Sequence, residues 1–370
     1  MPFDQDQFRA IVSGRRRDAR ARLARFLLAV ASLGYRAAVL VRNGLYDRRV
    51  LRSHRAAVPV ICVGNLTTGG TGKTPLVAWL AHLTAEEGLH PAMLTRGYKA
   101  RRVCTAHHDT KAGNAHPTDE PAELAQACPG VPVIVNPDRV AGAAEAVRSH
   151  DAQVLLMDDG FQHRRLMRDL DIVTIDATTP FGYGRLLPAG FLREPVGSLR
   201  RAHAVVLTRC DQVCEETLGR IETQIRRIRS DLLVVRAVHA PVGARRSDGV
   251  DIPLQELKGK KVFAFCGLGN PAAFFATVQA CGCVLVGSQA YNDHYTYTDR
   301  NLADLYLAAR SQGADLLLTT QKDWTKIAAL SRTGETMPAA YLAISLQFTD
   351  GGNALRALIE RALAGTIPPS

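Results

Sequence analysis

The stretch from Val63 to Pro75, VGNLTTGGTGKTP, has the residue types of a phosphate-binding loop. Gly72, Lys73 and Thr74 match the end of the motif G-x-x-x-x-G-K-[ST], whereas Thr67 stands where the motif has its first glycine. Glycines let backbone N–H groups converge on phosphate oxygens, a lysine bridges the outer phosphates, and a threonine hydroxyl can ligate Mg²⁺. The spacing therefore predicts a nucleoside triphosphate site despite the missing glycine.

Part of this loop, TGGTGKT, resembles the x-G-G-x-G-K-T variant of ATPases and GTPases that carry paired glycines. Many members of that class have a lysine at the position of Thr68, so the role of that lysine is absent here or moved elsewhere. The residues expected to hold the phosphates are Thr68, Gly69, Gly70, Thr71, Gly72, Lys73 and Thr74. The alternative is a glycine-rich turn that binds nothing.

Carboxylates occupy two further places where phosphate chemistry needs them. Asp158 and Asp159 follow the apolar run 155–157, and the carboxyl end of such a strand faces the nucleotide in P-loop proteins. Because Asp-Gly is also a common turn pair, an ordinary turn is the alternative. Asp119 precedes a helical stretch, where it is either a helix cap or a functional carboxylate.

Three other polar segments have two interpretations each. Asp293 and His294 are either a catalytic pair or residues of a polar aromatic loop. The segment 193–195, Arg-Glu-Pro, either binds phosphate and metal or forms a surface turn. The segment 319–323, TTQKD, ends an apolar run in the second half of the chain and is equally ambiguous.

Short apolar segments alternate with segments of helical spacing from residue 58 to residue 208. Strands are predicted at 58–64, 91–95, 131–135, 153–158, 170–176 and 202–208, and helices at 76–87 and 139–150. Strands that are apolar at nearly every residue are buried on both faces. The pattern predicts a P-loop NTPase-like α/β fold with a doubly wound, mostly parallel sheet.

A second series of elements begins after residue 240. The stretch 240–251 is polar and rich in arginine, and we interpret it as a hinge. Strands at 261–266, 283–288, 315–319 and 340–344, with helices at 272–280, 299–310 and 353–364, predict a smaller α/β unit. The predicted domains are 1–50, a basic N-terminal helix; 51–240, the P-loop core; and 241–370, a smaller domain that closes over the site.

Positive charge is concentrated near the N-terminus. The 370-residue chain has a net charge of +11, and residues 9–55 contain 13 arginines, no lysine and two acids. Arg15, Arg22 and Arg36 are spaced by multiples of seven and share one side of a helix, while Leu23 lies away from it. The segment is either a helix lying on an anionic membrane or a helix packed on the body with a solvated basic face.

Neither a membrane-spanning helix nor a zinc site is expected. The longest uncharged run of the N-terminal segment, 26–35, has 10 residues, whereas a span needs about 20. No signal-peptide cleavage pattern is present. The eight cysteines have no zinc-ligand spacing, so we interpret them as small core residues in a reducing cytosol.

The motifs in this order resemble the tetraacyldisaccharide 4′-kinase family, the lipid A kinases of Gram-negative bacteria. They are VGNLTTGGTGKTP (63–75), LTRGYK (94–99), DEP (119–121), MDDGFQH (157–163), LREP (192–195), DH followed by aromatic residues (293–297) and TTQKD (319–323). The resemblance extends from about residue 20 to residue 360. Gln321 departs from the pattern, because the family usually has a glutamate before Lys-Asp.

The resemblance implies an enzyme peripheral to the cytoplasmic face of the bacterial inner membrane. It would use ATP and Mg²⁺ to phosphorylate the 4′-hydroxyl of a tetraacylated glucosamine disaccharide 1-phosphate, giving lipid IVA. The implied partners are this lipid and an anionic membrane surface. We expect neither nucleic acid nor an obligate protein partner.

Residue roles also follow from the resemblance. Asp119 would be the catalytic carboxylate, with His294 as its partner and Lys73 as the P-loop lysine. The implied metal-site residues are Thr74, Asp158, Asp159 and Glu194. Arg139 and Arg193 would lie near the phosphates.

Two other classes of protein fit parts of the pattern. A P-loop switch or partitioning ATPase with a basic arm would dimerise with nucleotide and phosphorylate no lipid sugar. The absence of a lysine at position 68 weighs against it. A peripheral membrane adaptor with a vestigial loop would consume no ATP.

Overall fold

The chain forms two compact units. The computed structural model describes residues 5–97, 119–246, 248–268, 271–292, 295–327, 330 and 337–367. Unit 1 comprises Met1–Ala115, Cys128–Val238 and Gln347–Ser370, and unit 2 comprises His116–Ala127 and His239–Leu346.

Helices and strands alternate along most of the described chain. The helices are α1 (Gln5–Val12), α2 (Ala19–Asp47), α3 (Lys73–Glu86), α4 (Asp119–Ala127), α5 (Arg139–His150), α6 (Glu215–Ile228), α7 (Leu254–Leu257), α8 (Pro271–Ala280), α9 (Asp299–Ser311), α10 (Gln321–Ile327) and α11 (Gly352–Leu363). The strands are β1 (Val60–Asn65), β2 (Pro91–Thr95), β3 (Val133–Val135), β4 (Val154–Asp158), β5 (Leu170–Asp176), β6 (Ala204–Thr208), β7 (Leu233–Arg246), β8 (Asp251–Pro253), β9 (Lys261–Cys266), β10 (Val284–Ala290), β11 (Leu316–Thr320) and β12 (Ala339–Asp350). Short 3₁₀ turns lie at Gly182–Gly184, Val196–Arg201 and Cys210–Gln212.

The sheet of unit 1 is parallel and has β1 near its centre. Its strand order is β3-β2-β4-β1-β5-β6-β7. All residues of β1, β2, β4 and β6 are buried, as expected for strands covered on both faces. Register places Asp158 beside Val63 and Thr174 beside Asn65, so β4 and β5 bring polar groups to the end of β1. This confirms the predicted fold class.

The sheet of unit 2 has β9, β10, β11 and the first part of β12 in parallel, in the order β10-β9-β11-β12. Its alternating side chains form two apolar clusters, one containing Val262, Ala264 and Leu318 and the other Phe263 and Leu317. Helices of this unit therefore cover both faces of its sheet.

The stretch 240–251, which we interpreted as a hinge, lies mostly in two paired strands. The strand β7 continues through it to Arg246 and pairs antiparallel with β8, with Gly243 opposite Pro253. Arg245 contacts Asp251 across this pair at 2.6 Å, so the arginines that suggested a solvated linker stabilise a hairpin.

Unit boundaries also differ from the predicted domains. The segment Gln347–Ser370, predicted in the smaller domain, belongs to unit 1, and His116–Ala127, predicted in the core, belongs to unit 2. The second difference has a visible cause, because α4 packs against α10. Asp119 thus lies in a segment of unit 2.

The long helix α2 contacts the rest of unit 1 with one side and is apolar on the other. The Ser32 hydroxyl donates to the Leu186 carbonyl at 3.0 Å, and the Tyr35 hydroxyl donates to the Arg193 carbonyl at 2.9 Å. The apolar side chains that this helix leaves exposed are Leu23, Phe26, Leu27, Val30, Leu33, Leu40 and Val41. By length and composition alone, with a mean hydropathy of 1.6 in its most apolar window, α2 is also able to cross a bilayer.

Candidate active site

The loop between β1 and α3 presents its backbone to open space. Gly69 has φ 115° and Gly72, the residue before α3, has φ 79°, conformations that favour glycine. A Cβ atom built on Gly69 or Gly70 would meet nothing within 4 Å. The first N–H groups of α3 have no partner within the helix. The open space beside the loop therefore has the donors and the room that phosphate oxygens need.

Buried polar groups fix the loop from below. The Asn65 side-chain amide donates to the Thr71 hydroxyl at 3.1 Å, and that hydroxyl lies 2.8 Å from the Thr174 hydroxyl. The Thr208 hydroxyl donates to the Thr71 carbonyl at 3.0 Å. Because the Thr71 hydroxyl is engaged in this way, only its backbone amide is available to a phosphate. The sequence reasoning did not single out Asn65, Thr174 or Thr208, although Asn65 and Thr208 each end an otherwise apolar strand.

A second segment runs antiparallel beside the loop. The Thr68 amide donates to the Phe191 carbonyl at 2.8 Å, and the Arg193 amide donates to the Leu66 carbonyl at 2.7 Å. These two bonds flank an antiparallel bridge between Thr67 and Leu192. Arg193 is therefore positioned by the phosphate loop itself.

Lys73 and Arg193 both contact Asp159. The Lys73 Nζ atom lies 3.4 Å from Asp159 Oδ1, and Arg193 Nη1 donates to the two carboxylate oxygens at 2.9 and 2.8 Å. Burial by itself raises the pKa of Asp159, but the two cations outweigh it, so the pKa lies below its ordinary value. The structure thus brings together three of the predicted site residues.

Arg139 and Asp158 lie beside this cluster. Arg139 is only 2% exposed, and its Nη1 donates to the Asn136 carbonyl at 2.8 Å. Burial lowers the pKa of Arg139 to about 10, although the nearby carboxylates of Asp158 and Asp159 favour its charged form. The guanidinium therefore stays protonated at neutral pH. Its Nε atom has no hydrogen-bond partner in the part of the chain that the structure describes.

Glu194 is placed differently from the other predicted metal-site residues. It is 1% exposed, and its Oε2 atom accepts a hydrogen bond from Arg201 Nη2 at 2.8 Å. The Arg201 guanidinium also lies 4.5 Å from the centre of the Phe161 ring. Arg193 and Glu194 are adjacent in the chain, yet the first contacts Asp159 and the second an arginine. Arg201 neutralises the carboxylate through Oε2, whereas Oε1 has no hydrogen-bond partner among the described residues, so the metal role of Glu194 stays a prediction.

The predicted catalytic pair is less fully described. Asp119 is the first residue of α4, and its side chain lies outside the described residues. His294 lies outside them as well, between the described residues Asn292 and Tyr295. Their roles stay predictions.

The residues around the loop fit a magnesium ion that is shared with phosphates. Within the described ranges, no three His, Cys, Asp or Glu side chains cluster closely enough to hold a metal by themselves. Mg²⁺ usually takes only one or two protein carboxylates and completes its shell with phosphate oxygens and water. Thr74, in the first turn of α3, and Asp158 and Asp159, at the end of β4, supply such a partial set.

Comparisons with known proteins find one family over most of the chain. A family model described as "LpxK: Tetraacyldisaccharide-1-P 4'-kinase" matches residues 24–364. The tetraacyldisaccharide 4′-kinase of Syntrophus aciditrophicus (strain SB) is 39% identical over 336 residues, covering 87% of this chain and 88% of the relative. That of Anaeromyxobacter sp. (strain K) is 38% identical over 350 residues, covering 92% of each.

A solved structure is similar over the same extent. LpxK from Aquifex aeolicus in complex with ATP superposes with a TM-score of 0.73 at 30% identity, covering 92% of this chain and 99% of that chain. Residues 24–364, which the family model matches, contain the phosphate loop, the Asp159 cluster and the segments of Asp119 and His294. The chain therefore belongs to the tetraacyldisaccharide 4′-kinase family.

Proposed function

We propose that this chain transfers the γ-phosphate of ATP to the 4′-hydroxyl of a tetraacylated glucosamine disaccharide 1-phosphate, the reaction that forms lipid IVA in lipid A biosynthesis. Family membership supports the reaction. One structural observation supports its location: Lys73 and Arg193 meet at Asp159 beside the open phosphate loop. Phosphoryl transfer depends on positioning and charge neutralisation, and this cluster supplies both.

The loop amides and three cations would bind the triphosphate. Asp159 holds Lys73 and Arg193 in place, so little reorganisation is needed when phosphate charge arrives. Arg139, buried and charged, adds positive potential from the α5 side. Mg²⁺, held by Thr74 with Asp158 or Asp159, would neutralise charge on the outer phosphates.

Asp119 would act on the sugar. A sugar hydroxyl is a weak nucleophile, so a carboxylate that orients it and accepts its proton accelerates transfer. We assign this role to Asp119, with His294 orienting the carboxylate or receiving the proton from it. The support is the family motif at each position, together with the assignment of their chain segments to the same unit.

The helix α2 would bind the cytoplasmic surface of the bacterial inner membrane. Its exposed apolar side chains fit the hydrocarbon boundary, and the arginines near its start fit anionic headgroups. Ser32 and Tyr35, in the middle of the helix, donate hydrogen bonds to other residues of unit 1. Because that side of the helix is occupied by protein, we place α2 on the membrane surface rather than across the bilayer.

The test is incubation of the purified protein with ATP and the disaccharide lipid, followed by mass analysis for one added phosphate. Lys73→Ala should abolish the product, because the P-loop lysine neutralises the transferred phosphate, while the thermal transition stays near that of the wild type. Lys258→Ala, which removes an exposed lysine of unit 2, is the matched control. ATP hydrolysis without a lipid product would favour a P-loop switch, and no ATP consumption would favour an adaptor.

A further inference from the structure

Asp323 is a buried carboxylate that the proposed chemistry does not use. It lies near the start of α10, is 0% exposed, and belongs to the segment TTQKD. Its Oδ2 atom accepts hydrogen bonds from the Gly267 amide at 2.9 Å and from the Thr320 hydroxyl at 2.7 Å. Lys326 Nζ lies 3.9 Å from Oδ1. Burying a carboxylate costs free energy unless its partners are well placed. The parts of the chain that supply these partners therefore indicate what Asp323 connects.

Capping of α10 does not account for this arrangement. In a capping box the side chain of the third helical residue returns to the backbone amide of the cap residue. Here the Asp323 amide does donate to the Thr320 hydroxyl, at 3.1 Å. The carboxylate, however, accepts from Gly267, which follows β9 and is 56 residues away in sequence. Asp323 therefore joins α10 to another part of unit 2.

Gly267 in turn lies against the segment that connects β10 to α9. A Cβ atom on Gly267 would lie 3.0 Å from Asp323 Oδ1, 3.2 Å from the Asn292 carbonyl and 3.2 Å from the Tyr297 hydroxyl. A larger residue at this position would push these three groups apart by a few tenths of an ångström. The Tyr291 amide donates to the Cys266 carbonyl at 2.8 Å, so both ends of the segment 291–297 are fixed near the end of β9.

The Tyr297 hydroxyl is suited to complete the connection. Tyr297 is 4% exposed, and among the described residues neither its buried hydroxyl nor Asp323 Oδ1 has a hydrogen-bond partner of ordinary geometry, although both lie beside Gly267. Burial and the charge of Asp323 raise the pKa of Tyr297, so the hydroxyl stays protonated and able to donate to this carboxylate. The Tyr297 ring packs against Phe265, Tyr291 and Tyr295 with centroids 5.2 to 5.7 Å apart, which fixes its direction.

These contacts connect the chain segments of both proposed catalytic residues. The segment 291–297 contains His294, and α10 packs against α4, which begins at Asp119. We propose that Asp323 is a positioning residue: through Gly267 and Tyr297 it fixes the segment of His294 relative to α10, and through α10 relative to the helix of Asp119. This inference rests on the proposed function, because it takes Asp119 and His294 as the acting pair.

Tyr297→Phe tests the inference with the smallest change. It removes one buried oxygen and keeps the ring, so folding should be preserved. We expect kcat to fall about 10- to 100-fold, the size of effect that small misplacement of a catalytic group produces, with KM for ATP unchanged. Tyr341→Phe is the matched control, since Tyr341 is 3% exposed in the same apolar cluster and its hydroxyl interacts with Arg245 instead. Asp323→Asn should act in the same direction.

The decisive measurement repeats Tyr297→Phe in the His294→Ala background. If Tyr297 acts by positioning His294, the second substitution should lower kcat no further. An equal loss in both backgrounds, or unchanged kcat in Tyr297→Phe alone, would overturn the inference and leave the proposed function intact. Full activity in His294→Ala would overturn both the proposed pair and this inference.

Discussion

Asp119 has two possible roles that one substitution separates. As the first described residue of α4 it lies at the N-terminus of that helix, where asparagine is tolerated about as well as aspartate. As a base it must accept a proton, which asparagine does not do. We therefore expect Asp119→Asn to lower kcat by about 10² to 10⁴ while ATP affinity and melting temperature stay nearly constant.

The partner assignment follows from the same kinetic series. If Asp119 and His294 act as one unit, the double variant Asp119→Asn/His294→Ala should be little worse than the more impaired single variant. Multiplicative losses would mean that the two residues act independently. Wild-type kcat in Asp119→Asn would mean that this residue only stabilises the start of its helix.

His163 carries a predictable pH dependence of stability. Burial, with the nearby charges of Arg139, Arg168, Arg42 and Arg96, lowers the pKa of His163 to about 4 from its ordinary 6.5. The folded protein therefore holds this imidazole neutral while the unfolded chain protonates it. The contribution of the neutral imidazole to the free energy of unfolding is fully present above about pH 6.5 and is lost as pH falls toward about 4.

We expect His163→Gln to flatten this part of the stability curve. Melting temperatures measured every half unit of pH from 4 to 8 should fall less steeply for the variant than for the wild type below pH 6.5. Parallel curves would show that the folded-state pKa of His163 is close to its ordinary value.

Much of the site was predictable because its residues follow local spacing. Lys73 and Thr74 are fixed by the loop motif, and Asp159 by the end of an apolar strand. Partnerships across long sequence separations were not predictable: Thr71 meets Thr174 across 103 residues and Thr208 across 137. Such contacts depend on strand order and register, which no local pattern contains.

The helix α2 makes a prediction at the level of one element. Its apolar side is turned away from unit 1, with Phe26 64% and Leu33 65% exposed. Phe26→Ser and Leu33→Ser should each weaken binding to anionic liposomes at low and high salt alike, because burying one such side chain contributes about 1.5 to 3 kcal/mol. Arg15→Glu and Arg22→Glu should weaken it mainly at low salt, each arginine contributing about 1 kcal/mol.

Liposome sedimentation at two salt concentrations distinguishes the alternatives. Leu307→Ser is a suitable control, since Leu307 is 69% exposed on α9 in unit 2. Binding that none of the α2 substitutions changes would leave this helix as a packed element only. Point substitutions are preferable to removal of residues 1–40, because that truncation also removes the Tyr35 hydroxyl from Arg193.

Helices and strands whose apolar residues follow one regular spacing were predicted well. Elements in which polar residues interrupt that spacing were not. The strands β2, β5 and β9 and the helix α5 have the predicted bounds. The strand β7 was not predicted: no element was assigned to its first half, and in its second half arginines and a glycine interrupt the apolar alternation, where β8 pairs with it. The helix α6 had a usable signal in Leu218, Ile221 and Ile225, whose spacing of three and four residues marks its buried side.

At the level of the whole molecule, the chain passes between the units more often than a linear division allows. It enters unit 2 before α4, returns to unit 1 at Cys128, enters again at His239 and returns at Gln347. A prediction that assigns each domain one continuous range misses this, since no change of composition marks the twelve-residue excursion His116–Ala127. The excursion matters because it takes Asp119 into the unit that contains the segment of His294.

The hydrogen bond from the Tyr35 hydroxyl to the Arg193 carbonyl joins α2 to the residues beside the phosphate loop. Arg193 also contacts Asp159, and Asp159 contacts Lys73, so a continuous series of polar contacts connects the proposed membrane helix with the phosphate loop. If lipid binding changes the position of α2, the affinity for nucleotide changes by some factor. Reciprocity then requires nucleotide to change the affinity for the bilayer by the same factor. An enzyme built in this way would partition between membrane and cytosol according to its nucleotide state.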